Sequence, residues 1–384
     1  MDRQSEKLHQ DFEMLCCTIQ NLGKSCIISG PIPSLSKGSE CFSRLFSLHQ
    51  WLRTFCLAVG ITKSEFLPLT KGVPQGSVLG PVLFTIFIND IASSLNNCNV
   101  HLYADDTILY CTADTINLAI DSLQLAFNVL QESLFSLKLV LNPNKTKFML
   151  FSRGKGIDPS VLHLKTLSGS NIEQVPVYKY LGIWIDEKLN FSSHIDCLAK
   201  QLRQKIGFFY RHKSSLPLSC RKRIIESVFM PVLDYGDIIY RNASMSSLKI
   251  LDVIYHSAIR FATSASYNTH HCTLYATIGW SSLTERRFKH WIQFIYKAII
   301  GKLPSYISLL LNCQSSAYQT RSSSYFLLTV PNARTELGKS AFCFDAPMSW
   351  NLIQRTLKLE SLITFEQFKV LISNLPTPVC NCFL

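Results

Sequence analysis

The chain has 384 residues, of which 47% are hydrophobic and 17% charged, with 24 phenylalanines. That composition excludes a peptide, a disulfide miniprotein and a generally disordered chain, and it supplies enough apolar side chains for two or three cored domains. Basic residues exceed acidic ones by 38 − 26 = +12, so a polyanion is the first partner class to consider.

The excess is uneven. Residues 1–61 give 6 − 5 = +1, residues 62–190 give 10 − 11 = −1, and residues 191–384 give 22 − 10 = +12. Within the last segment Lys200, Arg203, Lys205, Arg211, Lys213, Arg221, Lys222 and Arg223 follow one another with no acid between Lys200 and Arg223. Such a run is either a solvated helix face or a phosphate-binding footprint. The opening MDRQSEKLHQ lacks the apolar core of a secretory leader. The most apolar run, Val82–Ile88, is far short of the ~20 residues that span a bilayer. These features predict a soluble intracellular protein, nuclear or cytoplasmic, neither secreted nor membrane-spanning. The basic run at 221–223 makes no import signal by itself. The 14 cysteines are scattered and form no CxxC, so buried thiols are expected. A zinc site of His270, His271, Cys272 and the C-terminal cysteines has poor spacing.

In chain order, residues 25–33 predict a short buried strand stopped at Gly30-Pro31 and Pro33. An amphipathic helix follows from Glu40 to Val59. Residues 70–77 form a breaker-rich loop, with Ser77 as N-cap and Pro81 in the first turn of a helix running from Val82 to Leu95. Asn99–Ala104 and Thr107–Thr112 alternate as strands, with only Asp105 and Asp106 between them, so a tight hairpin carries paired carboxylates at its tip. Thr115–Lys138 is an amphipathic helix. The loop 142–146 leads into a strand at Lys147–Phe151, and Val177–Ile185 forms a second hairpin turning near Tyr180-Leu181-Gly182. After Asn190 the apolar spacing is helical, first over Ile195–Phe209, then around 224–233, 247–263, 282–301 and 364–374.

Helix, acidic hairpin, helix and strand in that order make up most of a split βαβ unit. Adjacent carboxylates on a rigid turn repel one another, which suits them poorly to general acid–base work. They suit Mg²⁺, a hard cation that takes oxygen ligands and keeps phosphate partners. An isolated Asp-Asp pair is usually just a hairpin turn; its neighbours decide otherwise here. GVPQGSVLGPVLF (72–84), LYADDTILY (102–110), LNPNKTKFMLF (141–151) and YKYLGIWID (178–186) resemble motifs B, C, D and E of the reverse transcriptases of non-LTR (LINE-type) retrotransposons, in order and spacing. The stretch at 327–353 resembles the C-terminal tail of the same polyproteins, so the resemblance covers about 62–375.

The resemblance implies a polymerase palm. Asp105 would be a Mg²⁺ ligand and Asp106 its neighbour. Tyr103 and Ala104 would lie against nucleotide and primer end. Gln75 and Gly76 would sit beside the incoming dNTP and template base. Lys145 would face the leaving pyrophosphate, and Tyr180, Leu181 and Gly182 would hold the primer terminus. The basic helices after 195 would be the thumb, gripping an RNA template and DNA primer by their phosphates. One departure matters. The family's first catalytic carboxylate lies in motif A, an Asp between apolar residues upstream of motif B, and nothing between Met1 and Gly72 has that form. Instead, IISGPIPSLSKGSECFSRLFSLHQWL (27–52) resembles an internal piece of SGNH/GDSL-type esterase domains, without their nucleophile block or terminal Asp-x-x-His block. Esterase activity is therefore not expected.

The expected fold is α+β. It comprises an incomplete SGNH-hydrolase-like fragment at 1–61 and a truncated palm at 62–190 with three or four antiparallel strands and two backing helices. A mostly helical, basic thumb and C-terminal region follows at 191–384. The expected function is that of a reverse transcriptase domain-containing protein of retrotransposon origin, RNA-directed DNA polymerase by family and inactive in this chain for want of motif A. The alternatives are a nucleic-acid-binding remnant and a chain that does not fold stably.

Overall fold

The computed structural model describes residues 79–95, 98–152, 163–313 and 325–375, which fall into two compact units. The expected strand at 25–33, the helix from Glu40 and the loop carrying Gln75 and Gly76 lie outside the described residues.

In the first unit, helix α1 (Gly80–Ser93) starts with Pro81 in its first turn, where its missing N–H costs nothing. Its N-cap is Leu79, without a side-chain cap. Strands β1 (Asn99–Tyr103) and β2 (Asp106–Tyr110) pair antiparallel from Asn99↔Tyr110 to Tyr103↔Asp106. Helix α2 (Ile116–Ser136) is opened by Thr115, whose hydroxyl accepts from the Leu118 N–H. Two thiols at the open end of the hairpin tie it to α2: Cys98 donates to Ser122 O and Cys111 to Ala119 O. Burial and the neighbouring Cys111 thiol push Cys98 up to about 11, so it stays protonated. Gln124 exchanges two 2.8 Å hydrogen bonds with the backbone of Lys165, which docks α2 on β4 (Leu164–Lys165).

The strands do not assemble as expected. Instead of one antiparallel palm sheet, β1 and β2 stand as a two-stranded sheet among the described residues. β5 (Asn171–Gln174) pairs antiparallel with β4 through its first half and parallel with β3 (Lys147–Phe148) through its second. The strand expected over 147–151 is thus two residues long.

The second unit continues with β6 (Val177–Tyr180) and β7 (Ile183–Asp186), an antiparallel pair. Helix α3 (Ser192–Arg211) buries Ile195, Leu198, Ala199, Leu202, Ile206 and Phe209, the stripe its spacing predicts. The helix expected at 224–233 is broken. α4 (Leu218–Ile224) runs through a π-helical turn at Ile225–Phe229 into α5 (Met230–Asp234), which has a proline in its first turn. α6 (Met245–Thr263), α7 (His271–Ile278) and α8 (Leu283–Ile299) follow, then the short α9 (Ser305–Ser308) and α10 (Glu336–Lys339). α11 (Phe342–Leu357) and α12 (Phe365–Ser373) complete the described chain.

α8 serves two cores. Leu283, at its start, joins the core of α3, the π turn, α6 and α7. Trp291, Ile292, Ile295 and Tyr296, further along, pack with Ala346, Trp350, Phe368 and Ile372 in another. There the Tyr296 and Phe368 rings stack at 3.8 Å, and Trp350 donates its indole N–H to Phe326 O at 2.7 Å. Neither α7 nor α11 was expected, and α11 carries Pro347 inside it. No helix among the described residues is long and apolar enough to cross a membrane.

Candidate functional site

The acidic hairpin is real, but its tip lies one residue earlier than the sequence suggests. Tyr103 and Asp106 face each other as the last pair of the ladder, so the two turn residues are Ala104 and Asp105. Ala104 takes a φ of 52°, a left-handed conformation that hairpin turns of this length demand and that alanine adopts at some cost. Asp105 is therefore at the apex, while Asp106 begins β2. Tyr103, Ala104, Asp105 and Asp106 are all exposed. The tip projects two carboxylates and a phenol ring into solvent. Below it, His101 and Tyr110 stack at 5.4 Å, their polar atoms 3.2 Å apart, and stiffen the same hairpin face.

Two exposed carboxylate groups are a hard-oxygen donor set suited to Mg²⁺, which wants six oxygens and tolerates water among them. Among the described residues no third carboxylate, histidine or cysteine joins Asp105 and Asp106 in a metal-binding group. Gln75 and Gly76, and every acid upstream of them, lie outside the described residues.

Lys145 is exposed on a rigid loop. The Asn142 carboxamide oxygen accepts from the N–H groups of Asn144 and Lys145, and Asn142 O accepts from Thr146 N and Thr146 Oγ1. This Asx turn fixes the backbone under Lys145.

The second hairpin turns through Leu181 and Gly182, both with positive φ (43° and 86°), the pattern of a type I′ turn. A side chain outside the motif anchors it. Tyr235 donates its hydroxyl to Leu181 O at 2.5 Å, and its ring lies so close to Gly182 that a Cβ there would sit 3.1 Å from Cε1. Glycine is needed twice over, by conformation and by space. At the other end of the hairpin, the buried Asp186 accepts from the N–H groups of Lys188, Asn190 and Phe191, the last at 2.7 Å. Those three bonds shape the left-handed residues Leu189 and Phe191 into the start of α3. His194, on the first turn of α3, accepts from Trp184 N with Nδ1 and packs against Tyr240. That bond puts its proton on Nε2, a buried atom without a hydrogen-bond partner. Burial, then the charge of Lys179, lowers the imidazole's pKa. Asp186 and Trp184 lie within YKYLGIWID and Tyr235 does not, so the motif pointed to the hairpin and missed its lock.

The basic residues separate by what they touch. Lys200, Arg203, Arg211, Lys222 and Arg223 are exposed, while Lys205 and Lys213 are half-buried. Lys200, Arg203, Lys205, Arg211 and Arg223 make no ion pair among the described residues. Lys213 lies 5.9 Å over the Tyr210 ring. Arg221 is a different case. Its guanidinium donates to Leu216 O, Lys213 O and Ser264 Oγ and covers Phe261, so it is committed to holding the fold. Lys222 caps α7, donating to Ile278 O at 3.3 Å.

Residues 34–185 match the family described as reverse transcriptase (RNA-dependent DNA polymerase). The match starts ahead of the boundary expected at 62 and overlaps the segment with the esterase-like pattern. The chain is 31% identical over 225 residues to the RNA-directed DNA polymerase from mobile element jockey of Drosophila melanogaster, covering 56% of this chain and 24% of the relative. It is 27% identical over 255 residues to the probable RNA-directed DNA polymerase from transposon BS (63% and 28%) and 27% over 234 residues to that from transposon X-element (58% and 25%), both of the same fly. The chain thus spans about a quarter of the length of these curated relatives. No solved structure matches it.

Proposed function

We propose that this chain, which carries a reverse transcriptase domain of the non-LTR retrotransposon type, binds template–primer duplexes through its C-terminal basic helices and does not polymerise. The observation behind this reading is a contrast. The basic helices carry cations without an ion pair among the described residues, whereas the acidic tip offers two exposed carboxylates from one hairpin and the sequence holds no motif A pattern between Met1 and Gly72. Asp105 and Asp106 would hold a Mg²⁺ ion, which when bound neutralises and orients phosphate oxygens. Phosphoryl transfer needs carboxylates from two strands to place two such ions, so one hairpin leaves the donor set short.

The chain's own residues retain the positioning tasks. Tyr103 presents its ring at the tip. Lys145 supplies a cation on a fixed loop, the type of group that stabilises charge on a leaving pyrophosphate. The Leu181-Gly182 turn, locked by Tyr235, presents a rigid backbone edge to a primer strand. Lys200, Arg203, Lys205, Arg211 and Arg223 neutralise phosphates irrespective of base sequence.

Primer extension on poly(rA)·oligo(dT) with Mg²⁺ tests the first half, and no incorporation above background is expected. Incorporation that Asp105→Ala abolishes would overturn the assignment of inactivity. Binding of an RNA–DNA hybrid at low salt tests the second half; absence of affinity there ends the binding role.

A further inference from the structure

We propose a divalent metal site of the zinc class at the start of α7, built from His270, His271 and Cys272. These residues were unpromising as a sequence pattern, since their spacing to the C-terminal cysteines is wrong for a zinc module. The fold makes those cysteines unnecessary. It brings one ligand atom from each of the three residues to within 4.8 Å of one another, close enough for a single ion to collect them with small side-chain rotations.

The local structure explains why three consecutive residues converge. His270 is the N-cap of α7, and its Nδ1 accepts from Cys272 N at 3.4 Å. The His270 and His271 rings lie 4.0 Å apart.

A third histidine, contributed by another helix, supports the arrangement. His256 on α6 stacks on His271 with centroids 5.6 Å apart and planes at 17°. Its Nε2 is 2.6 Å from the Tyr275 hydroxyl, and Tyr275 in turn packs edge-on against His271. His271 is thus held between two rings, which limits the orientations its imidazole can take. His256 is a positioning residue here, not a ligand. Arg260 on α6 directs its guanidinium at Thr269 O and the Tyr267 ring.

Ligand chemistry selects the metal. Two imidazoles and a thiolate are borderline-to-soft donors, which favour Zn²⁺ over Mg²⁺ or Ca²⁺. Binding displaces the Cys272 thiol proton to solvent, and water fills the fourth tetrahedral position. The ion would brace the 264–270 turn between α6 and α7, remote in sequence from the acidic hairpin and independent of any Mg²⁺ there. Among the described residues the other cluster of this kind, Asp234, Asp237 and His290, is already paired internally: Arg286 clasps Asp234 with two bonds and His290 lies 2.6 Å from Asp237.

The test is a Co²⁺ titration of the chelator-treated full chain, read by the thiolate-to-cobalt charge-transfer band, with Zn²⁺ content and thermal midpoint measured in parallel. One Co²⁺ per chain, a thiolate band and a midpoint raised by Zn²⁺ are expected. Cys272→Ser should abolish the band. His270→Asn keeps a good N-cap, so its fold is preserved, and it should weaken Co²⁺ binding by on the order of tenfold or more. Cys197→Ser, at an exposed thiol on α3, should change nothing. A wild-type chain without a thiolate band overturns the site. So does a band that survives Cys272→Ser, or unchanged affinity in His270→Asn, which would leave the cluster a helix cap and an aromatic stack.

Discussion

The two units resolve the same problem, covering apolar surface, to different degrees. In the second unit Trp350, Tyr296, Phe368 and Leu202 are fully enclosed, and every ring with a polar edge in that set has a partner. In the first, α1 shows Val82, Leu83, Ile86 and Phe87 to solvent, and α2 shows Leu118, Leu125 and Phe135. The helical unit therefore carries its own stability, while the described part of the acidic unit rests on a hairpin, a helix and hydrogen bonds from Cys98, Cys111 and Gln124. The contrast teaches that apolar burial is distributed unevenly between the described parts of the two units.

The sharpest way to break that comparison is truncation of one large ring in each unit. Trp350→Ala removes a side chain at 0% exposure and leaves Phe326 O with Gln354 Nε2 as its donor, so denaturant unfolding of the second unit should lose about 3–5 kcal/mol, chiefly through the cavity. Phe135→Ala, at 83% exposure, should stay within about 0.5 kcal/mol. Equal costs would mean the first unit is cored after all.

Next in size is Asp186→Ala. It strands three N–H groups at the entry to α3, and an unsatisfied buried donor costs roughly 1–3 kcal/mol. A loss of about 2–4 kcal/mol is expected, with Asp186→Asn recovering part of it. An Ala variant as stable as wild type would show that the hairpin-to-helix joint does not depend on this carboxylate.

Much of this joint was legible in the sequence, and the reasons it was only partly so are physical. The helices at 195–209, 247–263 and 282–301 were visible because a buried stripe repeats at helical spacing. The Leu181-Gly182 turn was visible because positive φ favours glycine. Tyr235 was not, because a hydroxyl reaching a carbonyl 54 residues away leaves no local pattern. The π turn at 225–229 escaped for a related reason, since its apolar residues fit an ordinary helix equally well. The hairpin tip was placed one residue late because Ala104, not a glycine or asparagine, takes the left-handed position. Asp105 and Asp106 were identified by resemblance. Their exposure and the short strands around them came only from the structure.

A smaller effect concerns pH. Burial and Lys179 lower the pKa of His194 from the ordinary value of 6.5, so the unfolded chain takes up this proton first on acidification. Stability contributed by the neutral ring is present above the ordinary imidazole range and is lost as pH falls through it towards the depressed folded value. Protonation also removes the acceptor for Trp184 N, with Lys179 and Tyr240 facing the ring. His194→Gln should flatten this part of the stability–pH curve, read by thermal midpoint across the acid range. An unchanged slope would assign the pH dependence to other groups.

The smallest effect per residue, and the one most specific to function, is at the exposed cations. Lys200 and Arg203 are one turn apart on the solvent side of α3 and have no acidic partner among the described residues, which suits them to phosphates. Releasing about one counterion per neutralised phosphate sets the salt dependence of duplex binding, and each lost contact should lower the slope of log affinity against log salt by about 1. Lys200→Ala with Arg203→Ala should therefore reduce the slope by about 2 while leaving the thermal midpoint near wild type. Arg221→Ala should do the reverse. It should destabilise the fold by removing bonds to Leu216, Lys213 and Ser264, with little change in slope once folded protein alone is counted. A drop in slope with Arg221→Ala and none with the double variant would move the nucleic-acid face from the outer side of α3 to the opening turn of α4.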